Sequence, residues 1–85
     1  MRLDQRDEKP CIGEIVELDN LRGIEPLDAL MGEPDDEYLD IMLKYNPFGL
    51  WGRIIKIGNG ELTVRVRWQN GVRNSYYPHN LKEIV

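Results

Sequence analysis

The chain has 85 residues, 41% hydrophobic and 31% charged, with 15 acidic against 11 basic side chains. That composition describes one folded domain with a small core, since a chain of this length buries only roughly 60–65% of its unfolded surface. It excludes a transmembrane helix, because no run of about 18 apolar residues occurs, and no membrane partner is expected. The net charge is −4, but it is unevenly spread. Residues 1–50 carry five basic and thirteen acidic side chains; residues 51–85 carry six basic and two acidic. Such asymmetry bears on partners, not on fold.

The opening stretch "MRLDQRDEKP" is charged and has no apolar segment, so it reads as a charged N-terminal arm (1–10) rather than a signal peptide. Cys11 is the only cysteine, which rules out an internal disulfide and fits a reducing, cytoplasmic setting. "CIGEIVELDN" (11–20) reads as a first strand stopping at an Asp-Asn turn.

Residues 21–50 have no clean period at first. A short helical turn fits 26–31. "PDDEYLDIMLKYN" (34–46) then reads as a helix, with Pro34 at its first position and Asp35, Asp36 and Glu37 at the positive end of its dipole. Asn46-Pro47 stops it. Tyr38, Ile41, Met42 and Tyr45 form one apolar stripe at helical spacing. A strand is the rival reading, because the same stretch is rich in β-formers.

From Trp51 onward the pattern is β. "WGRIIKI" (51–57) is a strand and "GNG" (58–60) a tight turn. "LTVRVRW" (62–68) alternates strictly, and "QNG" (69–71) is the next turn. A three-residue loop with Gly71 in the left-handed conformation pairs Trp68 with Val72. It sets Val64, Val66, Trp68, Val72, Asn74 and Tyr76 on one face and Arg65, Arg67, Arg73, Ser75 and Tyr77 on the other. A two-residue Asn-Gly loop would reverse strand 72–77. The first register is preferred because it groups the valines and turns the arginines outward. "PHNL" (78–81) reads as a single 3₁₀ turn, and "KEIV" (82–85) as a short last strand returning to the first.

Five short strands with tight turns must curl to bury themselves. The succession "WGRIIKI", Gly-rich turn, "VRVRW", Asn-Gly turn, "NSYYPHNL" and closing strand resembles an SH3-like barrel. Its nearest flavours are Tudor-type and Mib–Herc domains, matched over residues 11–20 and 51–85. The resemblance implies a mainly β, five-stranded SH3-like barrel with a helical insertion (21–50) between strands one and two.

Three constellations carry possible chemistry. Arg65, Arg67, Arg73 and Tyr77, with Arg53 or Lys56 from the neighbouring strand, make a basic outer face. Arginine forks suit carboxylate or phosphate; the plainer reading is a solvated face, and a third is that the face serves the acidic segment of the same chain, Asp35, Asp36 and Glu37. The aromatics Phe48, Trp51, Trp68, Tyr76 and Tyr77 come next. The Tudor resemblance implies an aromatic cage at the places of Trp68 and Tyr76. The area such rings bury instead puts those two in the core and leaves Trp51, after the "NPFGL" loop, as the exposed contact. The stripe Tyr38, Ile41, Met42, Tyr45 is a second partner surface or a cap on its own barrel.

Catalysis has no support: His79 is the only histidine and no nucleophile can be tied to it. Cys11 and His79 are too few for a zinc site, and the acidic run at 33–37 lacks calcium-loop spacing. No metal or cofactor is expected. The sequence reads as a non-catalytic interaction module, a small protein-binding adaptor or regulatory subunit. The alternative is a nucleic-acid-binding domain that uses Arg53, Arg65, Arg67, Arg73 and Lys82.

Overall fold

The computed structural model describes residues 1–24, 44–59 and 63–84. Five strands form one antiparallel sheet: β1 (Ile15–Leu18), β2 (Trp51–Ile57), β3 (Val64–Trp68), β4 (Arg73–Tyr76) and β5 (Leu81–Glu83), in the order β4-β3-β2-β1-β5. Single 3₁₀ turns cover Leu3–Gln5 and Pro78–Asn80. The protein is thus mainly β, as the sequence predicts. The turn expected at 26–31 and nearly all of the helix expected at 34–46 lie outside the described residues.

The register of the β3–β4 hairpin follows the preferred reading. Arg67 pairs with Arg73, Val64 with Tyr76, and the Trp68 amide donates to the Val72 carbonyl at 2.7 Å. Gly71 closes the loop at φ +89°, a region open to glycine at little cost. Alternation then sorts the faces: Val64, Val66, Trp68 and Tyr76 are buried, while Arg65, Arg67 and Arg73 are exposed. The last strand returns to the first, with Leu18 opposite Leu81 and Val16 opposite Glu83.

Strand β2 carries a bulge. Ile54 pairs with Val66 but Lys56 pairs with Arg65, so Ile55 is the extra residue. Strict alternation would turn Lys56 to the side of buried Ile54. The inserted residue flips the parity and sets Lys56 beside Arg65 on the outer face.

The core is built from Leu3, Val16, Leu18, Ile24, Ile54, Val64, Val66, Trp68, Tyr76 and Leu81. Trp68 and Tyr76 meet edge to face, with centroids 5.6 Å apart and rings inclined at 72°. Both are buried, so neither forms an open aromatic cage.

Three local readings need correction. The first strand is shorter than 11–20: the Glu14 amide bonds the Cys11 carbonyl across a turn with Gly13 at φ +93°, and strand pairing starts at Ile15. The N-terminal arm is charged but not loose. Leu3 is 2% exposed, the Glu83 amide donates to the Met1 carbonyl, and the Arg6 guanidinium bridges Glu14 (2.5 and 2.6 Å) and Glu83 (3.1 Å). Tyr77 does not join the outer arginines. The chain turns at Pro78, and the Tyr77 ring packs against the core and stacks on His79, centroids 5.1 Å apart.

Candidate functional site

The outer face of the sheet is organised in rows that run across the strands. Ile15 pairs with Arg53, Arg53 with Arg67, and Arg67 with Arg73. Side chains directly opposite in neighbouring antiparallel strands sit roughly 5 Å apart at Cβ. Three guanidinium-bearing residues therefore stand side by side on β2, β3 and β4. A second row holds Lys82, Glu17 and Trp51; a third holds Lys56, Arg65 and Ser75.

Charge pairing on this face is uneven. Lys82 Nζ meets Glu17 Oε1 at 3.3 Å, and Arg65 donates to the Ser75 hydroxyl at 3.3 Å. Among the described residues, Arg53, Arg67 and Arg73 take part in no ion pair or side-chain hydrogen bond. Like charges directly opposite across strands repel, so the row costs stability where it stands.

Trp51 lies beside the row and is 42% exposed. It belongs to two adjoining shallow clefts. One, of about 350 Å³, is lined by Trp51, Arg53, Arg67, Trp68 and Gln69. The other, of about 270 Å³, has largely apolar walls from Ile15, Trp51, Arg53 and Ile84. Trp51 and Arg53 form the ridge shared by both.

The structure thus brings Arg53, Arg67, Arg73 and Trp51 together, with Arg65 one row away. It separates Tyr77 from them. Of the second predicted surface, Tyr38, Ile41 and Met42 lie outside the described residues. Tyr45 is described and 49% exposed, with Lys44 Nζ 5.9 Å from its ring centre.

Sequence reasoning missed Ile15 and Ile84 as parts of this face. The signal was present: in Ile15-Val16-Glu17-Leu18 the buried Val16 and Leu18 force Ile15 and Glu17 outward. It also missed two buried asparagines. Asn46 Oδ1 accepts from the Tyr76 hydroxyl (2.8 Å) and from Asn74 Nδ2 (3.0 Å). The Tyr76 oxygen in turn accepts from Trp68 Nε1 at 2.9 Å. Asn80 donates to Asn20 Oδ1 and to the Arg22 carbonyl, and accepts from the Tyr77 amide. Both asparagines fasten loops to the end of the sheet.

Two sites of shifted titration are structural as well. Burial pushes the Tyr76 hydroxyl up to about 12, and the hydrogen bond from Trp68 offsets only part of that. The Arg6 hydrogen bond holds the Glu14 carboxyl below its ordinary range, and Glu14 in turn raises Arg6. Among the described residues no group of three or more His, Cys, Asp or Glu is placed to hold a metal. No helix among them is long and apolar enough to cross a membrane. Compared with family models, curated proteins and solved structures, the chain matches none of them.

Proposed function

We propose that this protein is a non-catalytic interaction module whose partner is another protein, bound on the outer face of the sheet. One observation carries the reading: Arg53, Arg67 and Arg73 stand in one cross-strand row with no acidic partner among the described residues. A solvated face needs polar residues, but it does not need three arginines directly opposite one another on neighbouring strands. A partner that brings carboxylates relieves that repulsion. The flanking Trp51 supplies the kind of large, half-exposed ring that anchors protein interfaces.

The fold assignment belongs with this proposal. The sheet order, the return of β5 to β1, the bulge in β2 and the 3₁₀ turn before β5 support an SH3-like barrel. Fold alone does not name a function; the arginine row is what supports the reading.

Photo-crosslinking from position 69, in the cleft beside the row, tests the reading in intact cells. Discrete protein adducts are expected, and they disappear when Arg53 and Arg73 are changed to Glu. Adducts that survive the charge reversal, or none at all, overturn it. A second reading, nucleic-acid binding, draws on the exposed Trp51 beside Arg53 and Arg67, where a base would stack. It requires affinity that falls steeply with salt.

A further inference from the structure

We propose, resting on the protein-partner reading above, that the outer face recognises an acidic peptide segment with a large apolar anchor. The anchor enters the cleft of Ile15, Trp51 and Ile84, and the carboxylates lie along Arg53, Arg67 and Arg73.

The two halves of the site are joined in one row. Ile15 is the cross-strand partner of Arg53. Val16 pairs with Glu83, which brings the next residue, Ile84, opposite Ile15. From β5 to β4 the outward row therefore reads Ile84, Ile15, Arg53, Arg67, Arg73: apolar at one end and cationic at the other. Ile84 is 44% exposed and Trp51 42% exposed, so the apolar end is open to a ligand.

The spacing specifies the ligand. Strands in a sheet lie about 4.8 Å apart, and an extended chain advances about 3.3 Å per residue. From Ile15 to Arg73 is three strand steps, or roughly 14 Å, which is about four extended residues. Side chains two apart on an extended segment point the same way. The fitting segment thus carries an apolar residue followed, two and four positions along, by carboxylates. The first carboxylate falls between Arg53 and Arg67, and the second reaches Arg73. Arginine forks bind carboxylates in a bidentate manner, which fixes the direction of approach. Each exposed ion pair is weak, so the three arginines act together to hold the acidic segment, and the apolar anchor adds to that affinity.

Other occupants fit less well. A phosphate backbone needs a continuing basic track, but this row ends in isoleucines, and Glu17 lies beside Trp51. A two-fold contact between copies of this face supplies Glu17 as its carboxylate among the described outward residues, and Lys82 already pairs with it.

The test titrates the full chain, with its exposed Trp51 as fluorescent reporter, against three probes. One is a neutral-flanked peptide with Phe-Ser-Glu-Ser-Glu at its centre. The second replaces its Phe with Ser. The third is a single-stranded oligonucleotide. The Phe peptide is expected to bind about tenfold tighter than the Ser peptide, the value of burying one large apolar side chain. Ile84→Ser removes that tenfold advantage and leaves the Ser peptide unchanged. Arg67→Glu with Arg73→Glu abolishes binding of both peptides. These positions are exposed, and an unaltered Trp68 near-ultraviolet signal certifies that each variant is folded. Equal affinity for the two peptides, or an Ile84→Ser variant without effect, overturns the proposal. So does tight, salt-sensitive oligonucleotide binding indifferent to Ile84. If no peptide binds while position 69 still gives charge-dependent protein adducts, the interaction module stands and this partner chemistry falls.

Discussion

At Gly52 the sheet has no room for a side chain. A β-carbon there would lie 2.5 Å from Val66 Cγ1 and 2.6 Å from the Trp68 ring, both fully packed. Neither neighbour is the loose end of a flexible chain. Gly52→Ala is therefore expected to cost roughly 2–3 kcal/mol of overpacking, read as a lower urea midpoint at unchanged slope. Tyr76 tells a different story, of polar groups that must be satisfied. Its hydroxyl both accepts from Trp68 Nε1 and donates to Asn46 Oδ1. Tyr76→Phe keeps the ring but leaves buried Trp68 Nε1 without its acceptor and takes one of the donors from Asn46 Oδ1, which keeps Asn74 Nδ2, at a cost of about 1–3 kcal/mol. The same hydroxyl sets an alkaline limit. Its folded pKa, about 12, lies above its ordinary 10, so the folded state holds the proton more tightly. That contribution is complete below pH 10 and is lost as pH rises from 10 toward 12. Unfolding midpoints measured from pH 9 to 12 should fall across that window in the wild type. The fall should be smaller in Tyr76→Phe.

Among the elements, the N-terminal segment shows where packing overrides composition. Its one buried apolar residue, Leu3, sits among charges, so no periodicity marks it. What holds it is long-range: Arg6 reaches both Glu14 and, 77 positions away in sequence, Glu83. Arg6→Ala should loosen residues 1–6, with faster amide exchange at Glu83, whose amide bonds the Met1 carbonyl. Acid should act at the same place. Glu14 titrates below its ordinary 4.5 when folded, so its stabilisation is present above that value and is lost as pH falls through the lowered one. Glu14→Gln should flatten this acid limb in unfolding midpoints taken from pH 6 to 2. The β3–β4 hairpin is the opposite case. Strict alternation over Val64–Trp68, with a glycine-closed loop, carries the register in local sequence. The arginine row followed from that register. Tyr77 did not, because alternation says nothing about where Pro78 bends the chain away. Asn46 and Asn80 were illegible for a related reason: their partners Tyr76 and Asn20 lie 30 and 60 residues away.

The whole molecule sets two electrostatic expectations against each other at Arg67. The protein is net acidic by four charges, so deleting a cation should add to its overall self-repulsion. The cross-strand row says the reverse, because Arg67 stands between Arg53 and Arg73 and losing it removes two close repulsions. Distance decides between them. Salt at about 0.1 M screens exposed charges beyond roughly 10 Å, and among the described residues no carboxylate pairs with Arg67. The two neighbouring arginines, about 5 Å away at Cβ, lie well within that range. Arg67→Gln is therefore expected to stabilise the fold by roughly 0.5 kcal/mol in dilute buffer, an advantage that shrinks as salt is raised. Arg67→Lys, which keeps the charge, should show no gain. Denaturant titrations at two salt concentrations separate these outcomes. If Arg67→Gln proves less stable than the wild type at low salt, the row is not under repulsive load. A stabilised variant that also loses its protein adducts would identify Arg67 as a residue kept for binding at the expense of stability.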